Sequence, residues 1–209
     1  MTIVDISVPI KNAMTVYRGN PRVRIRPAMT LRRDGVNLSE LCLGSHTGTH
    51  VDAPSHFVDR GKAIDQLPLE RFVGPAWVAD LRRVRRAITA DDLQRARIPT
   101  GSERVLLRTK NSRWWHPPRP FRTDFVYLAA DGADWMVERG IALVGIDYLS
   151  IEGYSVAGAP THKRLLGARI PILEGLDLFR VAGGRWQLTA LPLRINAGDA
   201  GLTRAVLWR

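Results

Sequence analysis

Residues 45–57 read Ser-His-Thr-Gly-Thr-His-Val-Asp-Ala-Pro-Ser-His-Phe. Three histidines and an aspartate (His46, His50, Asp52 and His56) fall within eleven residues of a chain that has only five histidines. A lone histidine is ordinarily structural. Four potential ligands this close together are poorly explained by packing, because each would need its own buried partner. A His-x-x-x-His spacing puts both rings on one face of a helix, but this stretch is not helical in character. Thr47, Thr49 and Val51 are β-branched, Gly48 is a poor helix former, and Pro54 follows closely. Extended, the segment turns His46, Gly48, His50 and Asp52 to one face. On a straight strand the Cα atoms of His46 and His50 lie about 13 Å apart, a long reach for two imidazoles onto one ion. Gly48 relieves this: it leaves the gap between the rings open and tolerates a bulge that draws them together. Pro54 then turns the chain, so that His56 faces the same pocket. Two imidazoles and a carboxylate suit zinc, manganese or ferrous iron. Three protein ligands leave positions open for water, as in catalytic sites, and His56 is then available for proton transfer.

The rest of the composition is compatible with such a site and excludes several other classes. A chain of 209 residues suits one domain, and we read 1–209 as a single one. Hydrophobic residues at 45% and charged residues at 24% are ordinary for a folded domain and exclude a disordered tail. No run approaches the roughly 18 apolar residues of a membrane span, so no membrane partner is expected. The N-terminal MTIVDISVPIKNAM lacks the layout of a secretory signal. A single cysteine, Cys42, rules out an intrachain disulfide framework and fits a reducing, cytoplasmic setting. The net charge of +11 invites a nucleic-acid reading. Yet only Lys11, Lys62, Lys110 and Lys163 are lysine, the arginines are spread along the chain, and the densest run (Arg82, Arg83, Arg85, Arg86) is short. No helix-turn-helix, zinc-finger or RNA-recognition signature accompanies it. The charge is read as a solvated basic face whose field attracts anionic substrates.

Strands are expected at Ile3 to Val8, Arg22 to Thr30 and Leu38 to Leu43, the last two separated by an Arg33-Asp34-Gly35 turn. Phe72 to Leu81 is apolar but broken by Gly74-Pro75, so a buried strand is expected only in its later half. Thr89 caps a helix reaching about Arg97, with Asp91 and Asp92 in its first turn and Pro99 beyond its end. Arg104 to Arg108 and Ala142 to Ile146 read as strands, Asp131 to Arg139 as a helix closed by Gly140, and Gln187 to Leu191 and Ala205 to Trp208 as final strands. Asn111 to Arg122, with three prolines, reads as a loop whose Trp114 and Trp115 line either a substrate entrance or an oligomer contact, or simply cover core. The tally is strand-rich: one α/β domain with a mixed sheet.

The stretch HTGTHVDAPSH resembles the signature of the cyclase-like metal hydrolase family, which includes bacterial kynurenine formamidases and isatin hydrolases. Similar segments follow: Gly61 to Asp65, Leu67-Pro68-Leu69, Val73 to Ala76, Leu107-Arg108-Thr109, Gly140 to Asp147 with Ser150, Ile172 to Leu176, and Ala190 to Arg194. The resemblance implies a swivelling β/β/α domain assembled as a homodimer or homotetramer. It implies His46, His50 and Asp52 as ligands of a first metal, with Asp52 bridging to a second. His162 and Glu174 match the remaining ligands, and His56 matches the proton shuttle. His116 matches nothing. In the early substrate loop the kynurenine formamidases carry a Trp-Pro-Gly-Asp pattern. This chain has Tyr17-Arg18-Gly19-Asn20 instead, which puts the substrate, though not the chemistry, in doubt.

The expected activity is therefore metal-dependent hydrolysis of a formamide or cyclic amide, with one or two zinc or manganese ions per subunit and no organic cofactor. Tyr17, Arg18, Trp114 and Trp115 are the candidate non-metal wall for a small-molecule amide. The rivals are an isatin-like lactam, a cyclic imide or an ester on the same site. The non-enzymatic rival is a basic nucleic-acid-binding module with a structural metal. Its binding would weaken steeply with salt, whereas hydrolysis of a neutral amide would not.

Overall fold

The computed structural model describes residues 2–209. Among the described residues there are thirteen strands and four α-helices. The strands are β1 (Ile3–Asp5), β2 (Arg24–Met29), β3 (Leu38–Cys42), β4 (His50–Asp52), β5 (Val73–Asp80), β6 (Ala87–Ile88), β7 (Arg104–Arg108), β8 (Tyr127–Leu128), β9 (Leu143–Ile146), β10 (Ile172–Glu174), β11 (Gly184–Thr189), β12 (Ala200–Leu202) and β13 (Val206–Trp208). The helices are α1 (Leu31–Asp34), α2 (Ala90–Arg95), α3 (Ala130–Glu138) and α4 (Pro160–Gly167).

Nine strands form one mixed sheet in the order β1-β13-β11-β5-β7-β9-β10-β4-β12. Its centre, β5-β7-β9-β10, is parallel, and both flanks are antiparallel. The expected α/β class with a strand-rich mixed sheet is what the chain adopts. The central strands are apolar on both faces, as parallel strands covered on both sides must be. Val105, Leu107, Val144 and Ile146 face a core closed by Leu93 of α2, Ala133 and Met136 of α3, and Leu165 and Leu166 of α4. Leu106, Leu143 and Leu173 face the opposite core with Val51, Phe72, Leu188 and Leu207. A third, aromatic cluster joins Trp114, Phe125 and Tyr148. Among the described residues no helix is long and apolar enough to cross a membrane.

Local chemistry explains where the sequence reading holds and where it fails. Thr89 caps α2 as expected: its hydroxyl accepts from Asp92 N, and the Asp92 carboxylate accepts from Thr89 N. Gly74-Pro75 does not interrupt β5, because β11 pairs along it from Val73 to Val78, with Gln187 opposite Pro75. The expected turn at Arg33-Asp34-Gly35 belongs to the short helix α1, which Gly35 ends in the left-handed region at φ 71°. The expected loop at 111–122 begins with a 3-10 turn over Lys110–Trp114. The strand β4, which falls in the segment read as extended, and the strands β10 and β12 and the helix α4, none of them read from local pattern, are the elements that build the site.

Candidate metal centre

Strand β4 carries His50 and Asp52 on one face, two residues apart, with Val51 turned into the core behind. On one side β10 pairs with it so that Glu174 stands opposite His50. On the other side β12 pairs with it, with Ala200 opposite Asp52. Cross-strand register therefore brings a carboxylate from residue 174 beside a histidine at residue 50.

His46 arrives by a different route from the extended one expected. Residues 46–49 form a turn rather than a bulged strand, and Gly48 takes φ 64°. A Cβ at Gly48 would press on Ile10 Cδ1 at 2.7 Å, a side-chain end that can shift, so it is the left-handed backbone that favours glycine here. The turn folds His46 back until its Nδ1 lies 2.8 Å from Asp52 Oδ1. Thr49 locks it by donating to Gly175 O at 2.7 Å and accepting from Val8 N at 2.9 Å.

Pro54–His56 is a 3-10 turn that returns His56 to the same cavity, as expected from Pro54. Its ring lies 4.0 Å from that of His46 and 6.0 Å from that of His162. His162 stands in the first turn of α4, whose start at Pro160 suits proline. Its Nε2 is 3.7 Å from Asp52 Oδ2 and 3.4 Å from Glu174 Oε1, and its ring stacks on Phe57 at 4.6 Å. His50 Nε2 is 3.3 Å from Asp52 Oδ1 and 3.6 Å from Glu174 Oε2. The fold thus gathers His46, His50, Asp52, His56, His162 and Glu174 around one point, from three stretches of chain: residues 46–56, α4 and β10.

The polar atoms here fit a divalent cation. His50 Nε2, both Asp52 carboxylate oxygens, His162 Nδ1 and Glu152 Oε1 are buried without a hydrogen-bond partner. Each such atom costs about 1–3 kcal/mol, and His50 Nε2 and the two Asp52 oxygens face one point, where a bound cation would satisfy all three. His46, His50 and Asp52 each offer a ligand atom within 4.8 Å of the others, and so do Asp52, His56 and His162.

Protonation follows from the carboxylates. Burial works against charge on His46, but hydrogen bonds to Asp52 and Asp199 lift it to about 9. Burial likewise opposes charge on His162, and Glu152 and Glu174 lift it to about 10. Burial would raise Asp52, yet His46 and His50 hold it well below the usual carboxylate range. His56 goes the other way. Burial lowers it to about 4, aided by the positive His46 and His162 and opposed by Asp52, so it is neutral and able to accept a proton.

A cavity of about 280 Å³ opens onto His46, His56, His162 and Glu174, and Tyr17, Asn20, Tyr154 and Glu152 are part of its wall. Tyr17 thus lines the same cavity as the histidines. Arg18 stands outside the lining and donates from Nη1 to the Tyr154 hydroxyl at 3.2 Å. The tryptophans are elsewhere. Trp114 is 5% exposed and packs edge-on against Tyr148. Trp115 donates to Leu176 O and faces a separate cavity with Met14, His116 and Phe121. His116 pairs with Asp177 there, away from the histidine cluster. Two carboxylates at the centre escaped the sequence reading. Glu152 caps the start of α4, and Asp199 precedes β12 in an Asn-Ala-Gly-Asp turn. Neither belongs to a recognisable motif, and only the pairing of β12 with β4 brings Asp199 close.

Comparison with known proteins gives the same picture. The Cyclase family model matches residues 4–153. A kynurenine formamidase of Salinibacter ruber is 38% identical, covering 99% of this chain and 97% of its own. One of Bacillus thuringiensis is 33% identical, covering 98% and 96%. A solved structure from Bacillus stearothermophilus, described as a "predicted metal-dependent hydrolase", shares 36% identity with a TM-score of 0.85 over 99% of this chain and 97% of that one. Isatin hydrolase A of Labrenzia aggregata, at 24% identity and a TM-score of 0.84 over 99% and 93%, shares the fold. By family model, full-length likeness and architecture together, the chain belongs to the Cyclase family and is a homologue of the kynurenine formamidases.

Proposed function

We propose that this chain is a metal-dependent hydrolase of the kynurenine formamidase kind, cleaving the C–N bond of an aryl formamide. The observation that carries the reading is the set of buried, unpartnered polar atoms on His50 and Asp52, ringed by His46, His162 and Glu174, beside a neutral His56. We assign His46, His50, Asp52, His162 and Glu174 as ligands of one or two zinc or manganese ions, with Asp52 and Glu174 facing both halves of the site. When bound, such a cation makes water acidic enough to deprotonate near neutral pH and polarises a carbonyl. His56 Nε2, the ring nitrogen turned away from Asp199, takes a proton from the attacking water and returns it to the leaving amine nitrogen. Tyr17 offers a ring face to an aromatic substrate, and Arg18 at the mouth offers a cation to a substrate carboxylate. The cavity is at the small end of ligand sites, which run to roughly 300–1,000 Å³, and suits a single-ring amide.

The reading also takes residues 1–209 as one domain of the swivelling β/β/α architecture, supported by β1 and β13 at opposite chain ends sharing one sheet. It takes the working unit as a homodimer or homotetramer. In support, the ribbon of β2 and β3 lies outside the main sheet and exposes Leu31 (64%), Leu38 (52%) and Leu41 (58%).

The test is a hydrolysis screen in metal-replete buffer with N-formylkynurenine, isatin and cyclic imides. Release of formate from N-formylkynurenine with the highest kcat/KM supports the proposal. Preferential opening of isatin or an imide moves the substrate assignment to the lactam class, and no hydrolysis of any of them overturns it.

A further inference from the structure

The three imidazoles of the centre share one arrangement. Each turns one nitrogen inward and the other toward an acceptor outside; His50 and His46 hydrogen-bond theirs, whereas His162 Nδ1 faces the Glu152 carboxylate without a hydrogen bond. His50 Nδ1 donates to Gly48 O at 3.0 Å, leaving Nε2 toward Asp52 and Glu174. His46 Nε2 lies 3.0 Å from Asp199 Oδ2, leaving Nδ1 toward Asp52. His162 Nδ1 lies 3.5 Å from Glu152 Oε2, leaving Nε2 toward Asp52 and Glu174. An imidazole whose outer N–H is held by an acceptor presents the lone pair of its inner nitrogen, already oriented.

We propose that Glu152 and Asp199 are positioning residues of the metal centre, fixing the tautomer and ring orientation of His162 and His46 as the Gly48 carbonyl does for His50. The proposal rests on the metal-site reading above. Both carboxylates are anchored to the element that carries a ligand. Glu152 Oε2 accepts from Thr161 N at 2.8 Å and His162 N at 3.2 Å, so the carboxylate that holds the backbone of His162 also faces its ring. Asp199 O accepts from Ala53 N at 2.9 Å, next to Asp52, while Ala200 pairs with Asp52 itself. Asp199 Oδ2 also lies 3.9 Å from His56 Nδ1, and the rings of His56 and His46 lie 4.0 Å apart. The same carboxylate therefore hydrogen-bonds a ligand and lies near the proton-transfer group beside it.

The competing role is that of a ligand, since His46, His56 and Asp199 themselves fall within 4.8 Å of one another. Geometry disfavours it. Asp199 meets His46 at the nitrogen opposite the one that faces Asp52, and its side chain is 49% exposed. Glu152 meets His162 at the nitrogen opposite the one that faces Asp52 and Glu174, and it falls in none of the groups of ligand atoms that lie within 4.8 Å of one another.

The experiment compares the full-length chain with its Glu152→Gln and Asp199→Asn variants. It reads zinc affinity by competition with a chromophoric chelator, zinc equivalents at saturation, and the melting temperature of the metal-free chain. Glutamine keeps an oxygen for the N–H groups of α4, so that helix stays capped. The expected result is the wild-type number of equivalents, melting within a few degrees of wild type, and zinc affinity lower by about 10–100-fold in each variant. Unaltered affinity in either variant overturns the assignment of that residue, and so does a lower melting temperature with unaltered affinity of the folded fraction. Loss of a whole zinc equivalent at saturation overturns it in favour of a ligand. A wild-type chain that binds neither zinc nor manganese overturns the metal-site reading and this proposal together, which distinguishes the two failures.

Discussion

His56 is the residue on which the proposed chemistry turns, and it differs from its neighbours in charge as well as place. It lies within a ring's width of His46, yet burial lowers it to about 4, whereas Asp52 and Asp199 raise His46 to about 9, a proton that a bound cation would displace. His56→Ala should lower kcat/KM by about 10²–10⁴-fold while bound metal, measured by elemental analysis, stays at the wild-type level. Metal loss with the variant would instead make His56 a ligand. Arg18 acts at longer range. Arg18→Ala should raise KM several-fold for a substrate bearing a carboxylate and leave kcat unchanged, as read from steady-state kinetics on substrates with and without that group. Away from the site, Asp147 is fully buried and accepts from Thr109 N and Oγ1 and from Ser112 N and Oγ. Burial outweighs those four bonds and raises it to about 6. The folded state therefore binds this proton more tightly than the unfolded state does. Its stabilisation is complete below pH 4 and is lost as pH rises to about 6. Chemical denaturation at pH 4.5 and pH 7 should show wild type losing about 2 kcal/mol more than Asp147→Asn over that interval. Equal losses would contradict the shift.

At the scale of elements, the site depends on very short pieces of structure. Gly175 takes φ 68°, and a Cβ there would fall 2.0 Å from Gly48 O. The two left-handed glycines thus meet where β10 leaves and the turn before β4 enters. Gly175→Ala should cost at least about 2 kcal/mol of stability by denaturant unfolding, from the left-handed backbone and the clash together. It should also weaken zinc binding; wild-type stability and affinity would contradict this account of the turn. The same brevity decides what can be read from sequence. The His46-to-His56 segment announces itself because its ligands are local and its β-branched residues, glycine and proline exclude a helix. Its real conformation, a tight turn before a three-residue strand, is set by contacts with Val8, Ile10 and Gly175 that no local pattern encodes. His162 sits in PTHKRLLG beside Lys163 and Arg164, where eight residues give too little periodicity to mark a helix. Glu174 ends a buried strand of three residues. Both are visible only through family resemblance, because what places them is the register of β10 and the packing of α4. The paired tryptophans err in the opposite direction. Their composition suggests a substrate wall, but Tyr148 and the Leu176 carbonyl hold them in the aromatic cluster and at a different cavity.

For the molecule as a whole, the +11 charge and the exposed ribbon of β2 and β3 are the features the active-site reading leaves over. The ribbon contributes no residue to either main core, and a two-stranded ribbon alone is marginal in water. Light scattering should find the wild-type chain as a dimer or tetramer, and the double variant Leu31→Glu, Leu41→Glu should shift it toward monomer. A monomeric wild type would contradict the assembly. The charge is spread over arginines, many paired with nearby acids, such as Arg82 with Asp80 and Arg122 with Asp124. That distribution suits solubility and attraction of small anions more than a track for nucleic acid. The central claim is that a divalent cation held by His46, His50, Asp52, His162 and Glu174 is required for amide hydrolysis. The most direct measurement is formate release from N-formylkynurenine by chelator-stripped protein, before and after stoichiometric zinc or manganese is returned. The account predicts loss of hydrolysis on stripping and its recovery with metal. Full activity in the stripped protein, confirmed metal-free by elemental analysis, would contradict it.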